Sequence, residues 1–362
     1  MRKTYIDNLR GMVILLLIPY HAAQAFTTWG EGNYVYFFPN RAVSSVIIFF
    51  APFLMQLLFV FAGMSTKFAL TKRTYGQYLT ERVKRLLIPL VFCVVTLMPA
   101  MTYLADRANC GYAGGFFAHY AIFFTKITDL SGFDGAFSFG QFWFLLYLFG
   151  ISVVALGIIV LQKRFLPDAR FDVPVWALVL LGLPLPILRP VLAVGGKSFA
   201  EFLYLFLTGY FVFSNDAVSG RIEKYRWLWG SIAVAADLFN LVFYLETGAA
   251  SGLWHDIASY VAGWFMILAL IGFGPRCLSF HGPVSAYFSG RSFLVFSLHF
   301  LAVVLLQYCM RSAAGMNVAV LYFAPVILAY VLTLTACEVV IRVPVLRFLF
   351  GVKGGGKHDG KH

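Results

Sequence analysis

Charge is what this chain lacks. Asp, Glu, Lys and Arg make up 12% of its 362 residues, against about a quarter in an ordinary soluble domain. Hydrophobic residues make up 60%, and a chain of that composition cannot cover itself in water. The net charge of +12 therefore says little about nucleic acid; in a membrane protein Lys and Arg report topology and contact with anionic headgroups. Cysteines are few and scattered (Cys93, Cys110, Cys277, Cys309, Cys337), with no C-x-x-C spacing, so no disulfide framework and no metal site is read. Internal repeats and soluble domains are also missing. What remains is a series of long apolar runs. In a bilayer these must be helices, because each backbone polar group has to be bonded within its own segment.

The expected fold is all-α: a polytopic integral membrane protein of about ten transmembrane helices. The spans are placed near 9–29, 43–65, 86–106, 141–161, 173–190, 199–214, 228–246, 255–273, 289–310 and 317–341; Pro184 and Pro186 interrupt the fifth. With both termini cytoplasmic, all but six of the 28 basic residues fall on the inner side, the six being Arg41, Arg107, Lys126, Arg189, Lys197 and Arg311. That asymmetry fits the positive-inside rule. Residues 1–350 read as one membrane domain and 351–362 as a flexible basic tail. The N-terminus has some features of a secretory signal, but Asp7 in the basic region argues that the segment is retained. The stretch GYAGGFFAHYAIFF, Gly111–Phe124, is too aromatic for a solvated loop and is expected to lie in the interface or re-enter the membrane.

An ionisable side chain inside a bilayer marks a candidate site. His21 lies in the first span, expected near mid-membrane. Arg10 lies eleven residues earlier, which on a helix is about 20° past three full turns and roughly 16 Å along the axis, so the two share a face as a polar stripe. Asp7 sits where it can orient the Arg10 guanidinium. Pro19 removes the backbone bond to Leu15 and should open the helix locally. Arg82 and Arg85, in RVKRLLIP, form an R-x-x-R one turn apart before the third span, a pattern suited to phosphates as well as to membrane anchoring. His299 lies within span nine, and Asp237 and Asn240 lie one turn apart in span seven. Glu338 and Arg342 are spaced for an ion pair. Trp143 opens span four as an interfacial aromatic. His119, His255 and His281 receive no role.

These residues carry a resemblance. YIDNLRGMVILLLIPYHAA supplies R-x10-H. LLFVFAGM (Leu57–Met64), RVKRLLIP, QFWFLLYL, SGRSFLVFSLHF and CEVVIRVPVLRFLFG follow in order. Together the chain resembles the acyltransferase 3 family of bacterial membrane acyltransferases, nearest the branch that succinylates periplasmic glucans. Ala62 stands where that family usually has Ser.

The resemblance implies an O-acyltransferase in the bacterial cytoplasmic (inner) membrane. It would move an acetyl or succinyl group from cytoplasmic acyl-CoA (acetyl-CoA or succinyl-CoA) to a hydroxyl of an extracytoplasmic glycan, with no permanently bound cofactor. It implies His21 as catalytic residue with Arg10 as its partner, and Arg82 and Arg85 at the donor phosphates. Asp7, Trp143, His299 and Glu338 would be supporting residues. The rival class is a proton-coupled transporter or flippase with His21, Asp237 and Glu338 as relay.

Overall fold

The computed structural model describes residues 4–30, 34–169, 171–313 and 315–352. Arg2, Lys3, Arg170, Lys353, Lys357 and Lys361, used above to assign sides, lie outside the described residues, as does the tail from 353 to 362.

The described residues are helical apart from loops and one two-residue hairpin. The helices are α1 (Thr4–Ala23), α2 (Arg41–Phe50), α3 (Leu54–Leu70), α4 (Tyr75–Arg82), α5 (Ile88–Asn109), α6 (Phe116–Thr125), α7 (Trp143–Phe165), α8 (Val175–Leu180) and α9 (Pro184–Leu188). After the hairpin of β1 (Ala193–Val194) and β2 (Lys197–Ser198) come α10 (Phe199–Thr208), α11 (Asp216–Lys224), α12 (Arg226–Thr247), α13 (Leu253–Cys277), α14 (Pro283–Cys309), α15 (Val318–Arg342) and α16 (Pro344–Leu349). Among the described residues, eight helical stretches are long and apolar enough to cross a membrane: Thr4–Phe26, Arg41–Leu70, Tyr75–Asn109, Gly140–Phe165, Arg226–Thr247, Leu253–Cys277, Pro283–Cys309 and Val318–Arg342.

The structure thus differs from the expected ten at the fifth and sixth spans. These are short helices, Val175–Leu188 and Phe199–Phe213. Pro184 and Pro186 deny the first of them a continuous hydrogen-bond ladder. The second ends in a π-helical turn, Gly209–Phe213, where α10 crosses α3 very closely. A Cβ on Gly63 would come 1.9 Å from Phe206 O, and one on Gly209 would come 2.2 Å from Val60 O. Only two glycines allow that crossing.

α1 is the central element, packed against α2, α3, α13, α14 and α15. Its start is clasped by the α13–α14 connection: Asn8 Nδ2 donates to Leu278 O at 2.8 Å and to Phe280 O at 3.0 Å. The lipid-facing logic is plain on α12. Val234, Leu238, Phe239 and Val242 are exposed, while Trp229, Ala233, Asp237, Asn240 and Tyr244 are buried. Apolar residues point outward and the polar ones point to protein, as a bilayer demands. The aromatic stretch expected at the interface is α6, with Phe117 and Phe124 exposed and His119 and Phe123 buried. Below, the end of the bundle where α1 begins is called the basic end, and the opposite one the far end.

Candidate functional site

Pro19 shapes the site. It has no N–H for Leu15 O, and α15 fills the gap: Tyr330 Oη donates to Leu15 O at 2.8 Å, and Tyr322 Oη to Pro19 O at 3.3 Å. One turn on, Gln307 Nε2 of α14 donates to Ala22 O at 2.9 Å. Carbonyls that a proline or a helix end leaves unbonded would be costly inside a membrane; here each is met by a side chain of a neighbouring helix. The final turn of α1 is thereby stapled in place.

His21 lies in that last turn; a 3₁₀ turn, Gln24–Phe26, follows, so the first span covers Thr4–Phe26 rather than 9–29. Its ring stacks on Phe300 with centroids 4.0 Å apart, and the His299 ring lies 5.3 Å away. The imidazole therefore faces α14. His21 Nδ1 is 2.9 Å from Gln24 Oε1. An amide oxygen only accepts, so Nδ1 carries the hydrogen and Nε2 the lone pair. His299 Nδ1 lies 2.9 Å from both Val295 O and Phe296 O, which gives it the same tautomer. Its Nε2 is buried without a hydrogen-bond partner. Two adjacent imidazoles are thus held by their Nδ1 atoms, each presenting an accepting Nε2. A buried polar group left in this state asks for a donor, and a hydroxyl group would be one.

At the basic end Arg10 Nη1 donates to Asp7 Oδ1 at 3.2 Å, as the spacing predicts, and Nη2 donates to Ser65 Oγ at 2.9 Å. The next residue of α3, Thr66, accepts from Arg82 Nη2 at 3.0 Å and lies 3.0 Å from Tyr78 Oη. Consecutive α3 residues therefore anchor Arg10 and Arg82. The face between Arg10 and His21 is not a polar stripe: Ile14 and Leu17, which lie on it, are buried, with 6% and 3% exposure. This interval is closed.

Arg82 and Arg85 do not act as one jaw. A π-helical turn, Val83–Leu87, widens the backbone between them and rotates Arg85 away. Arg82 stays against Thr66 and the Tyr78 ring, 4.8 Å from its centroid. Arg85 pairs with Glu81 at 3.1 Å and lines a cleft of about 710 Å³ with Arg73, Gly76, Gln77, Thr80, Glu81, Lys84, Phe348, Gly351 and Val352. A second cleft, of about 430 Å³, is lined by Lys67, Phe171, Asp172, Asn215 and their neighbours. Neither is lined by His21 or His299.

Two expected supporting residues lie elsewhere. Trp143 packs in an aromatic layer with Phe59, Tyr147 and Phe202. Glu338 does not pair with Arg342; it takes Arg291 Nε and Tyr287 Oη of α14, because helix packing brings a closer cation than the one on its own helix. Asp237 and Asn240 are buried on α12, with Asn240 Nδ2 donating to Ser259 Oγ at 3.1 Å. No hydrogen bond among the described residues joins Asp237 or Glu338 to His21. His119, given no role, pairs with Asp106 Oδ2 at 3.2 Å beneath the far-end loops. Sequence reading missed Gln24, Phe300, Gln307 and Tyr330. Gln24 had a signal in its three-residue spacing from His21, and Gln307 in being an amide within an apolar run.

Apolar helices enclosing a pair of imidazoles, with a cationic cleft at one end, define a multi-pass membrane protein. The chain belongs to the acyltransferase 3 family: the model of its acyltransferase domain matches residues 3–342. Glucans biosynthesis protein C from Salmonella schwarzengrund (strain CVM19633) is 22% identical over 394 residues, covering 99% of this chain and 97% of the relative. The same-named protein of Salmonella heidelberg (strain SL476) gives the same figures. No solved structure matches the chain.

Proposed function

We propose that the protein transfers an acetyl or succinyl group from acyl-CoA, presented at the basic end, to a carbohydrate hydroxyl arriving from the far end. The basic end would face the cytoplasm of a bacterium, and the protein would sit in its cytoplasmic membrane. Family membership supports an acyl donor and an acceptor. The full-length similarity to a protein named for glucan biosynthesis supports a glycan acceptor. The observation that carries the chemistry is the pair of imidazoles locked with Nε2 available.

In this reading the acceptor hydroxyl donates to His21 Nε2. As its oxygen attacks the thioester carbonyl, the proton passes to Nε2. The carbon–sulfur bond then breaks and the CoA thiolate recovers that proton. General-base help of this kind contributes about 10²–10⁴-fold. Gln24 and the Phe300 face hold the ring in one orientation. His299 supplies a second acceptor beside it and raises the local demand for a hydroxyl. Arg10, fixed by Asp7 and Ser65, marks the donor's entry onto α1. The acyl arm must part α1 from its neighbours at Ile14 and Leu17, so donor binding is coupled to a local opening. A variant path passes the acyl group through His21 itself; trapping an acyl-histidine with acyl-CoA in the absence of acceptor would support it.

The test incubates purified protein with labelled acetyl- or succinyl-CoA. Thioester cleavage that disappears in His21→Ala supports the proposal. Cleavage at an unchanged rate in that variant, or none by the wild type with any glycan fraction, overturns it.

A further inference from the structure

The least satisfied polar groups of the bundle lie on α12, away from the histidine pair. Asp237 and Asn240 are fully enclosed, each at 0% exposure. Among the described residues neither carboxylate oxygen of Asp237 has a hydrogen-bond partner, and neither has Asn240 Oδ1. No ion pair among those residues involves Asp237 either. A bare carboxylate is too costly to keep inside a bilayer; it takes up a proton or a cation. Asp237 and Asn240 sit one turn apart, so their accepting oxygens share one side of α12.

The neighbouring span is broken at the same depth. Arg41–Leu70 is interrupted between α2 and α3. Pro52 has no N–H for Ile48 O, and Phe53 N turns back to Phe50 O at 3.4 Å instead of reaching Phe49 O. Two carbonyls are thereby left without a backbone donor among the described residues. The register is fixed at the far end: Arg41 Nη1 donates to Leu245 O and Glu246 O at 3.1 and 3.2 Å, and Ser44 Oγ meets Tyr244 Oη. From that contact, seven residues along α2 lead to Ala51 and seven back along α12 lead to Asp237, about 10 Å in each case. Ile48, which is buried, lies one turn from Ser44 on the same face. α13 closes the third side. Its Ser259 Oγ accepts from Asn240 Nδ2. Gly263, one turn further, lies on the break itself, where a Cβ would come 2.3 Å from Pro52 O. The approach from the far end is polar: His255 Nε2 lies 3.4 Å from Ser259 Oγ, and both residues are partly exposed.

We infer that α2, α12 and α13 hold a sodium ion at this depth, on the Asp237 carboxylate, Asn240 Oδ1 and the Ile48 carbonyl. The donor set is all oxygen, which suits a hard cation. Among the described residues no three His, Cys, Asp or Glu side chains gather for a softer metal. One carboxylate balances one positive charge, whereas a divalent ion would leave a net charge in the apolar layer. Carbonyls freed at a helix break inside a membrane need a partner, and beside an acidic side chain an alkali cation is a fitting one. The ion would tie α12 and α13 to the span that α1 packs against. The site shares no residue with the acyl-transfer reading.

The test follows the unfolding midpoint of the full-length protein in detergent, and its retention of radiolabelled sodium, as sodium chloride replaces choline chloride at constant ionic strength. The wild-type midpoint should rise with sodium and level off, because a ligand bound only by the folded state stabilises it. Asp237→Asn keeps the shape and removes the charge; it should fold and lose both responses. Asn240→Ala should need about tenfold more sodium for the same shift. Equal midpoints in sodium, potassium and choline, with no labelled sodium retained, overturn the inference. A sodium response that Asp237→Asn keeps also overturns it; should that variant fail to fold, an unchanged sodium dependence in Asn240→Ala does so. A midpoint that follows pH in the wild type but not in Asp237→Asn, with no response to sodium, would mean that Asp237 holds a proton, and the cation assignment fails.

Discussion

The cleft at the basic end and the histidine pair near the far end are built on opposite principles. The cleft is open, and its side chains are held by surface ion pairs around Glu81. Such pairs are worth about 0–1 kcal/mol each, so the cleft can adapt to a charged, flexible ligand. The histidine pair is held by an amide, backbone carbonyls and a stacked ring, at the end of a helix whose own carbonyls are bonded by α14 and α15. Groups held this way do not need to reorganise during a reaction. In the proposed function the difference becomes a division of labour: the basic end would capture the donor, and the histidine pair would wait in fixed geometry for the proton transfer. Between them lies the buried interval of Ile14 and Leu17, which on the proposed route the donor would have to open.

That contrast can be broken or sharpened by substitution. The largest expected effect is His21→Ala, with kcat for acyl transfer falling by about 10²–10⁴-fold and the thermal midpoint in detergent little changed. His299→Leu removes the second accepting nitrogen and should lower kcat by roughly tenfold to a hundredfold, below the His21 loss, with KM for acyl-CoA held; a raised KM at unchanged kcat would place His299 in the cleft's class instead. Tyr330→Phe deletes the donor to Leu15 O. A buried carbonyl left without a partner costs about 1–3 kcal/mol, read as a lower unfolding midpoint, and kcat should fall with it if the proline staple sets the His21 position. Glu81→Gln loosens Arg73 and Arg85 together and should raise KM for acyl-CoA only a few-fold, at constant kcat, with a stability change under about 1 kcal/mol.

The smallest effect is on pH. In the far-end loop, the Ser131 hydroxyl at 2.7 Å, and then its backbone N–H at 2.9 Å, hold Asp129 below the usual carboxylate range. A depressed carboxylate stabilises the fold above its unfolded value, about 3.9, and that contribution fades as pH falls through it. Protease nicking between Lys126 and Phe139 should increase on acidification from pH 5 to about pH 3, and less so in Ser131→Ala.

How much could be read in the sequence follows from how local each interaction is. The Asp7–Arg10 pair spans three residues, and the Leu15 carbonyl freed by Pro19 spans four; both follow from helix geometry alone. Their completion does not. Tyr330 is 315 residues from Leu15, and Gln307 is 285 from Ala22, so the helices that supply them are chosen only by packing. Glu338 shows the same limit from the other side: a cation stood four residues away on its own helix, yet α14 offered Arg291. The R-x-x-R motif locates two cations before the third span but not their geometry, because the π turn at Val83–Leu87 has no signature in the residues. Hydropathy separated long from short spans everywhere except 173–190 and 199–214, where two prolines and a glycine-packed crossing shorten helices that composition alone would extend.

The division of labour is tested most directly by single-turnover thioester cleavage at rising acyl-CoA concentration, comparing His21→Ala with Lys84→Gln. Recovery of the wild-type rate by Lys84→Gln at saturating donor, with His21→Ala still at least a hundredfold down, is the predicted result. A His21→Ala rate that rises to within a few-fold of wild type once donor is saturating would contradict it, because His21 would then be helping to bind the donor and not to carry the proton.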